Sequence, residues 1–148
     1  MIKANDLARY VISQANYMGY HITHLKLQKI LYYIQGIYLG ENHTPLFEES
    51  IEAWPYGPVV PVVYYEYVPF GALNLKPDGS PRECEPNWSA QDKALVDRIL
   101  IEKLPISASM LVGATHRETP WLRHKDEVGK GMRPVISNRS MQMFFAGE

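Results

Sequence analysis

Five histidines and a single cysteine are the groups in this sequence with the most obvious reactive potential. His21 and His24 are three apart, as metal ligands on one helix face can be, but they straddle a predicted helix start. A structural metal site normally needs four convergent ligands, and Cys84 has no companion thiol at zinc-site spacing. Cys84 with His116 would make a thiolate–imidazole pair, yet nothing around Cys84 lowers a thiol pKa. Ser107 and Ser109 lack a G-x-S-x-G elbow, and no glycine-rich phosphate loop is present. The expectation is no metal, no cofactor and no catalytic residue.

Two stretches carry more information. In "GATHRETPWLRHK", residues 113–125, Thr115 and His116 close a helix that Pro120 prevents from continuing. One reading is structural: a protonated His116 favoured by the helix C-terminus, or bonded to the last carbonyls, with Trp121 filling the core. Another makes His116, Glu118, Trp121 and Arg123 a recognition surface, since Trp and Arg are enriched at interface hot spots. A third gives His116 acid–base work with Glu118 or Glu52. In "EAWPYGPVVPVVYY", residues 52–65, three prolines and a glycine sit among Trp54, Tyr56, Tyr64 and Tyr65. Tyrosines with apolar bodies and polar tips suit either a core rim or a protein-binding face, and composition does not choose. Lys26, Lys29, Arg98, Lys103, Arg117, Arg123 and Lys125 are balanced by acids, which favours a solvated surface over a basic patch.

The elements that must position these residues are mostly helices. Leu7, Ala8, Val11, Ile12 and Ala15 predict a helix over 6–17 with Asn5 or Asp6 as cap, ended by Gly19. Thr23 caps a second, in which Leu27, Ile30, Leu31, Ile34 and Tyr38 form an apolar stripe and Lys26, Gln28 and Lys29 lie off it. Gly36 inside that helix costs roughly 1 kcal/mol relative to Ala, so close packing against its backbone is expected there. Gly40, Asn42 and Pro45 break the pattern, and residues 46–54 read as a short strand. A turn at Pro55–Pro58 leads, with Pro58 as first helical residue, to a helix over 59–67. Residues 72–76 predict a strand pairing with 48–54, followed by loop over 76–87. Ser89, Ser107 and Ser137 cap three further helices, the last bringing Met141, Phe144 and Phe145 to the core after an extended piece at Val135 and Ile136.

The totals agree with one domain spanning 1–148. The chain has 148 residues, 46% hydrophobic and 21% charged, and at this length can bury roughly 70% of its unfolded surface. Its class is mainly α (α+β): a single-domain bundle of about five or six helices with a small antiparallel β element. Fifteen basic and sixteen acidic residues leave a formal charge of -1, so no global field draws it to nucleic acid or an anionic membrane. No run approaches a membrane span, and Asn5, Asp6 and Arg9 interrupt any signal-peptide core, so a cytoplasmic protein is expected.

"LKLQKILYYIQGIYLGENHTPLFEESIEAWPYGPVVPVVYYEY", residues 25–67, resembles the signature of the Panacea domain, the family of GepA phage-associated proteins and SocA-like antitoxins. "THRETPW", residues 115–121, resembles its second block at the expected distance. His124 stands where the family has a small residue, and 69–87 has no family pattern. The resemblance implies an antitoxin of a toxin–antitoxin pair, commonly carried by prophages or other mobile elements. It would neutralise a co-encoded protein toxin, usually the product of the adjacent gene, by direct contact; one branch instead delivers its toxin to a protease as an adaptor. On this reading residues 53–58 form a rigid corner beside a docking face. The partner-facing or motif residues are Lys26, Gln28, Lys29, Trp54, Tyr56, Gly57, Pro58, Tyr64, His116, Glu118, Trp121 and Arg123.

Overall fold

The structure, a computed structural model, describes residues 1–147; Glu148, the last residue of the expected domain, lies outside the described residues. Its organising element is α2 (His24–Asn42), in which every residue from Lys26 to Gly36 is buried. A helix covered on all sides has no solvent stripe, so it has neighbours all round. Those neighbours are α1 (Ala4–Tyr17), α3 (Pro61–Tyr67), α4 (Ala90–Lys103), α5 (Ala108–His116) and α8 (Asn138–Phe145), together with one strand of a small sheet. Two short helices, α6 (Thr119–Leu122) and α7 (Lys125–Gly129), complete the eight α-helices among the described residues. The mainly α (α+β) class expected from the sequence is the one found.

The sheet is antiparallel with order β2-β1-β3, formed by β1 (Ile51–Trp54), β2 (Gly57–Val59) and β3 (Val135–Ile136). Trp54 pairs with Gly57 across a two-residue turn, Pro55–Tyr56, and Gly57 adopts φ +108°, a conformation that favours glycine. Ile51 pairs with Ile136 on the other side. Both edges of β1 are thereby occupied, so residues 72–76 do not form the strand predicted for them. Instead Leu75 donates its N–H to the Ile22 carbonyl at 2.8 Å, and the Ile22 N–H donates to Asn74 Oδ1 at 2.7 Å. The segment straps the α1–α2 connection.

Several predicted starts and stops are met in detail. The side chains of Thr23, Ser89, Ser107 and Ser137 each accept the N–H three residues on, and so cap α2, α4, α5 and α8. Pro58, expected as the first residue of α3, lies in β2, and Pro61 takes that position. α1 begins earlier than predicted: Ala4 donates its N–H to Glu49 Oε2 at 3.1 Å, a cap from a distant carboxylate rather than from Asn5 or Asp6. α2 runs through Gly40 to Asn42 and ends with His43 in the left-handed region, φ 64°.

Gly36 and Gly40 face α8. A Cβ at Gly36 would lie 2.2 Å from the Phe145 ring, and one at Gly40 would lie 2.8 Å from the Phe145 backbone carbon. The missing side chains let the two helices touch backbone to ring and backbone to backbone. Alanine has a helix propensity better than glycine by roughly 1 kcal/mol, but overpacking of this kind costs roughly 1–3 kcal/mol. Gly40→Ala, whose obstacle is main chain, should therefore lower stability by about 1 kcal/mol or more in urea denaturation. An unchanged midpoint would mean that α8 shifts freely along α2.

Candidate functional site

The residues singled out in the sequence converge on one region, where α2 meets the hairpin and the α5–α6 corner. They form an interior there more than a surface. Side chains four apart stack on one helix face, so Gln28 with Tyr32 and Lys29 with Tyr33 make two parallel rows. The first member of each row holds the hairpin: Gln28 Oε1 accepts from the Val60 N–H at 2.8 Å, and Lys29 Nζ donates to the Pro58 carbonyl at 3.0 Å. The second member holds the corner: the Tyr32 and Tyr33 hydroxyls donate to Glu118 Oε1 and Oε2 at 2.9 and 2.7 Å. Lys26 Nζ donates to the Leu104 carbonyl at 2.6 Å, at the C-terminus of α4, where cations are favoured. Gln35, one turn beyond Leu31, donates to the Phe47 carbonyl and accepts from the N–H groups of Leu46 and Phe47.

Lys26, Gln28 and Lys29 are thus buried, where the sequence pattern predicted a solvated face. Tertiary packing on every side of α2 overrides the single stripe. Burial pushes the Lys29 amine from 10.5 down to about 7, because the low-dielectric interior penalises the ammonium. Lys26 is pushed down for the same reason.

The second motif locks onto the first from the other side. Gly57 is enclosed between Thr115 and Lys29: an added Cβ would lie 2.6 Å from Thr115 Oγ1 and 2.9 Å from Lys29 Cε. Trp121 is buried and its Nε1 donates to the Trp54 carbonyl at 2.8 Å. His116 stacks on Trp121 with ring centroids 4.2 Å apart, and its Nε2 lies 2.9 Å from the Pro55 carbonyl. A carbonyl only accepts, so that nitrogen carries the proton. Burial pushes the imidazole below its ordinary value, against the opposing pull of the Pro55 bond. The protonated imidazole expected at the end of α5 is therefore replaced by a neutral ring that bonds the hairpin turn, not the last carbonyls of its helix.

Of the twelve candidate residues, nine sit in this interior network or border it: Lys26, Gln28, Lys29, Trp54, Gly57, Pro58, His116, Glu118 and Trp121. Tyr64 is half-buried with its ring edge-on to Trp54 at 4.7 Å, while Tyr56 and Arg123 are exposed. The hydrogen bonds of His116, Glu118 and Glu52 run to Pro55, to Tyr32 and Tyr33, and to the Trp54 indole respectively. Cys84 donates weakly to Asp78 Oδ1 at 3.4 Å. Among the described residues no three His, Cys, Asp or Glu are grouped to hold a metal ion, and no helix is long and apolar enough to cross a membrane. The sequence reading missed Tyr32, Tyr33 and Gln35. Their signal is the presence of hydrogen-bonding groups at four-residue spacing on a helix otherwise built of Leu and Ile.

Comparison with known proteins covers this network. The family model described as antitoxin SocA-like, Panacea domain, matches residues 27–122. Antitoxin SocA of Caulobacter vibrioides (strain NA1000 / CB15N) is 31% identical over 129 residues, covering 81% of this chain and 69% of that protein. No solved structure matches the chain.

The buried amine links stability to pH. Between about pH 7 and 10.5 the unfolded chain holds a proton on Lys29 that the folded chain releases, so stability rises with pH across that window. Each pH unit is worth up to about 1.4 kcal/mol. Urea denaturation at pH 7, 8 and 9 should show the folded state gaining stability, and Lys29→Met should remove most of that slope. An equal slope in both proteins would place the proton elsewhere. Trp54→Ala should cost about 3–5 kcal/mol, because it empties the space under the hairpin. A native-like melting curve by circular dichroism for that variant would contradict the rigid-corner account.

Proposed function

Because this chain belongs to the SocA-like Panacea-domain antitoxin family, we propose that it is an antitoxin that neutralises a protein toxin by direct, stoichiometric binding. The family assignment carries the class. The mode of action rests on one structural observation: the reactive-looking groups of both motifs are engaged within the molecule, by backbone for Lys26, Lys29 and His116 and by side chains for Glu118 and Glu52, while large aromatic side chains are left in solvent. Tyr56, in the hairpin turn, is 68% exposed and Tyr65, in α3, 66%. Tyrosine offers large amphipathic contact area at small ordering entropy, as an interface residue should. Such a face, with Arg123 on the α6 side, would be held ready by the corner beneath it. The protein catalyses nothing on this reading, and its partner is the product of the neighbouring gene.

A standard interface of about 1,600 Å² in total would occupy only part of a molecule of 7844 Å². Purified toxin mixed with this chain in equimolar amounts should lose activity without any protease present. Rescue that depends on an energy-dependent protease, with disappearance of the toxin, would replace inhibition by adaptor delivery. His116→Ala should weaken binding or leave it unchanged. Turnover of a substrate by the wild-type chain that this variant abolishes would overturn the non-catalytic reading.

A further inference from the structure

The small sheet ends in an open edge: β3 has β1 on one side and no strand on the other. Ala53 donates its N–H to the Pro134 carbonyl at 2.8 Å, and Ile51 pairs with Ile136, so the backbone groups of Pro134 and Ile136 face β1. In an antiparallel ladder the residue between two such positions turns its N–H and C=O the other way. Val135, opposite Glu52, is that residue. The N–H groups of Arg133 and Ser137, two residues to either side and in the same phase, find no backbone acceptor among the described residues. All three residues are exposed, Val135 to 54%.

Two usual protections of such an edge are turned aside here. Natural edge strands are blunted by a proline in the outer row or by a charge projecting over the edge. Pro134 occupies an inward position, where its lack of an N–H leaves the outer row intact. Arg133 lies over the Trp54 ring, its Cζ 4.1 Å from the centroid, which draws its charge across the sheet face instead of past the edge. The stretch is also basic: from Val128 to Gly147 there are Lys130, Arg133 and Arg139 and no acid, in a chain whose formal charge is -1. None of these three bases takes part in an ion pair among the described residues.

Resting on the partner-binding reading above, we propose that the bound protein adds an extended segment to the outer edge of β3, as a fourth strand of the sheet. Donors and acceptors repeating every two residues, about 6.6 Å apart, match the backbone of another strand. Backbone pairing supplies the attachment, and a β-branched or aromatic residue beside Val135 adds a cross-strand contact. The segment carries no Lys or Arg, which the three bases would repel. A second copy of this chain is disfavoured on the same ground, since pairing edge to edge would bring two such basic runs together. The edge also adjoins the exposed hairpin turn, because Arg133 and Tyr56 line one cleft beside it, so added strand and aromatic face form one continuous surface. β3 lies beyond residues 27–122, which the family model matches, so this edge is set outside the shared blocks.

The test is amide hydrogen exchange, read by NMR on the full 15N-labelled chain alone and with the purified product of the neighbouring gene. In the complex the Arg133, Val135 and Ser137 amides should exchange at least about tenfold more slowly, whereas contact through side chains alone leaves them as they are. Val135→Pro removes one outward N–H and no bond to β1, and should weaken binding about tenfold. Val135→Ala keeps that N–H and should bind much more tightly than the proline variant. If circular dichroism shows that Val135→Pro does not fold, the exchange measurement on the wild-type chain decides. A product that binds wild type and Val135→Pro equally, or that leaves those amides unprotected, upholds the partner-binding reading and overturns the edge. A product that binds neither overturns both. Protection of the same amides that grows with the concentration of the chain alone gives the edge to a second copy and overturns the proposal.

Discussion

The structure depends on one constraint: a three-residue strand and two irregular segments are pressed against a helix, and their backbone groups must still find hydrogen-bond partners there. A buried N–H or C=O left alone costs as much as a lost hydrogen bond, and a short hairpin cannot satisfy every such group within its own ladder. α2 supplies the missing partners from its side chains. Lys29 serves Pro58 in β2, Gln28 serves Val60 just beyond it, Gln35 serves residues 46–47 with three hydrogen bonds, and Lys26 serves the end of α4. Each such side chain is long enough to reach past the helix's own backbone, which explains the choice of Lys and Gln where a smaller polar residue would fall short.

Lysine is an expensive choice for this task, since the ammonium resists burial, and the fall of the Lys29 pKa to about 7 is the sign of that resistance. Among the described residues the Pro58 carbonyl is the one hydrogen-bond partner of its Nζ. The stem contributes too: its Cε and Cδ form a wall of the enclosure around Gly57, so the residue is both donor and packing element. Gly57 can be nothing larger because Thr115 closes the enclosure from α5. One contact thereby joins the first motif block, the hairpin and the second block, and it accounts physically for their occurrence together in one chain.

Much of this was legible in the sequence, and what was not has identifiable causes. The three serine caps and the apolar periodicities of α1, α2 and α4 are local signals, and local signals were enough for those helices. Gly36 announced a close approach, but Gly40, four residues on along the same face, read as a helix breaker because its reason lies in the backbone of α8. Residues 72–76 alternate like a strand, yet pairing is decided by which edge is free, and β2 and β3 had taken both edges of β1. α6 and α7, of four and five residues, are too short to show a period. The polar face of α2 was misread for a deeper reason. A one-stripe pattern predicts a solvated back only when nothing packs there, and how many neighbours a helix has is a tertiary fact.

The same network explains why motif residues and contact residues need not coincide. His116, Glu118 and Trp121 looked like a recognition surface because their types are common at interfaces, yet their polar atoms are engaged by Pro55, by two tyrosines and by Trp54. What they create is a hairpin turn whose position is fixed from below and from the side. A turn held this way carries Tyr56 and backs Tyr64 with little conformational freedom left to lose, and that loss is a main opposing term in protein association. A buried motif of this kind can stay constant while the exposed residues around it change, because its contribution is the rigidity of the platform and not the identity of the contacts made on it.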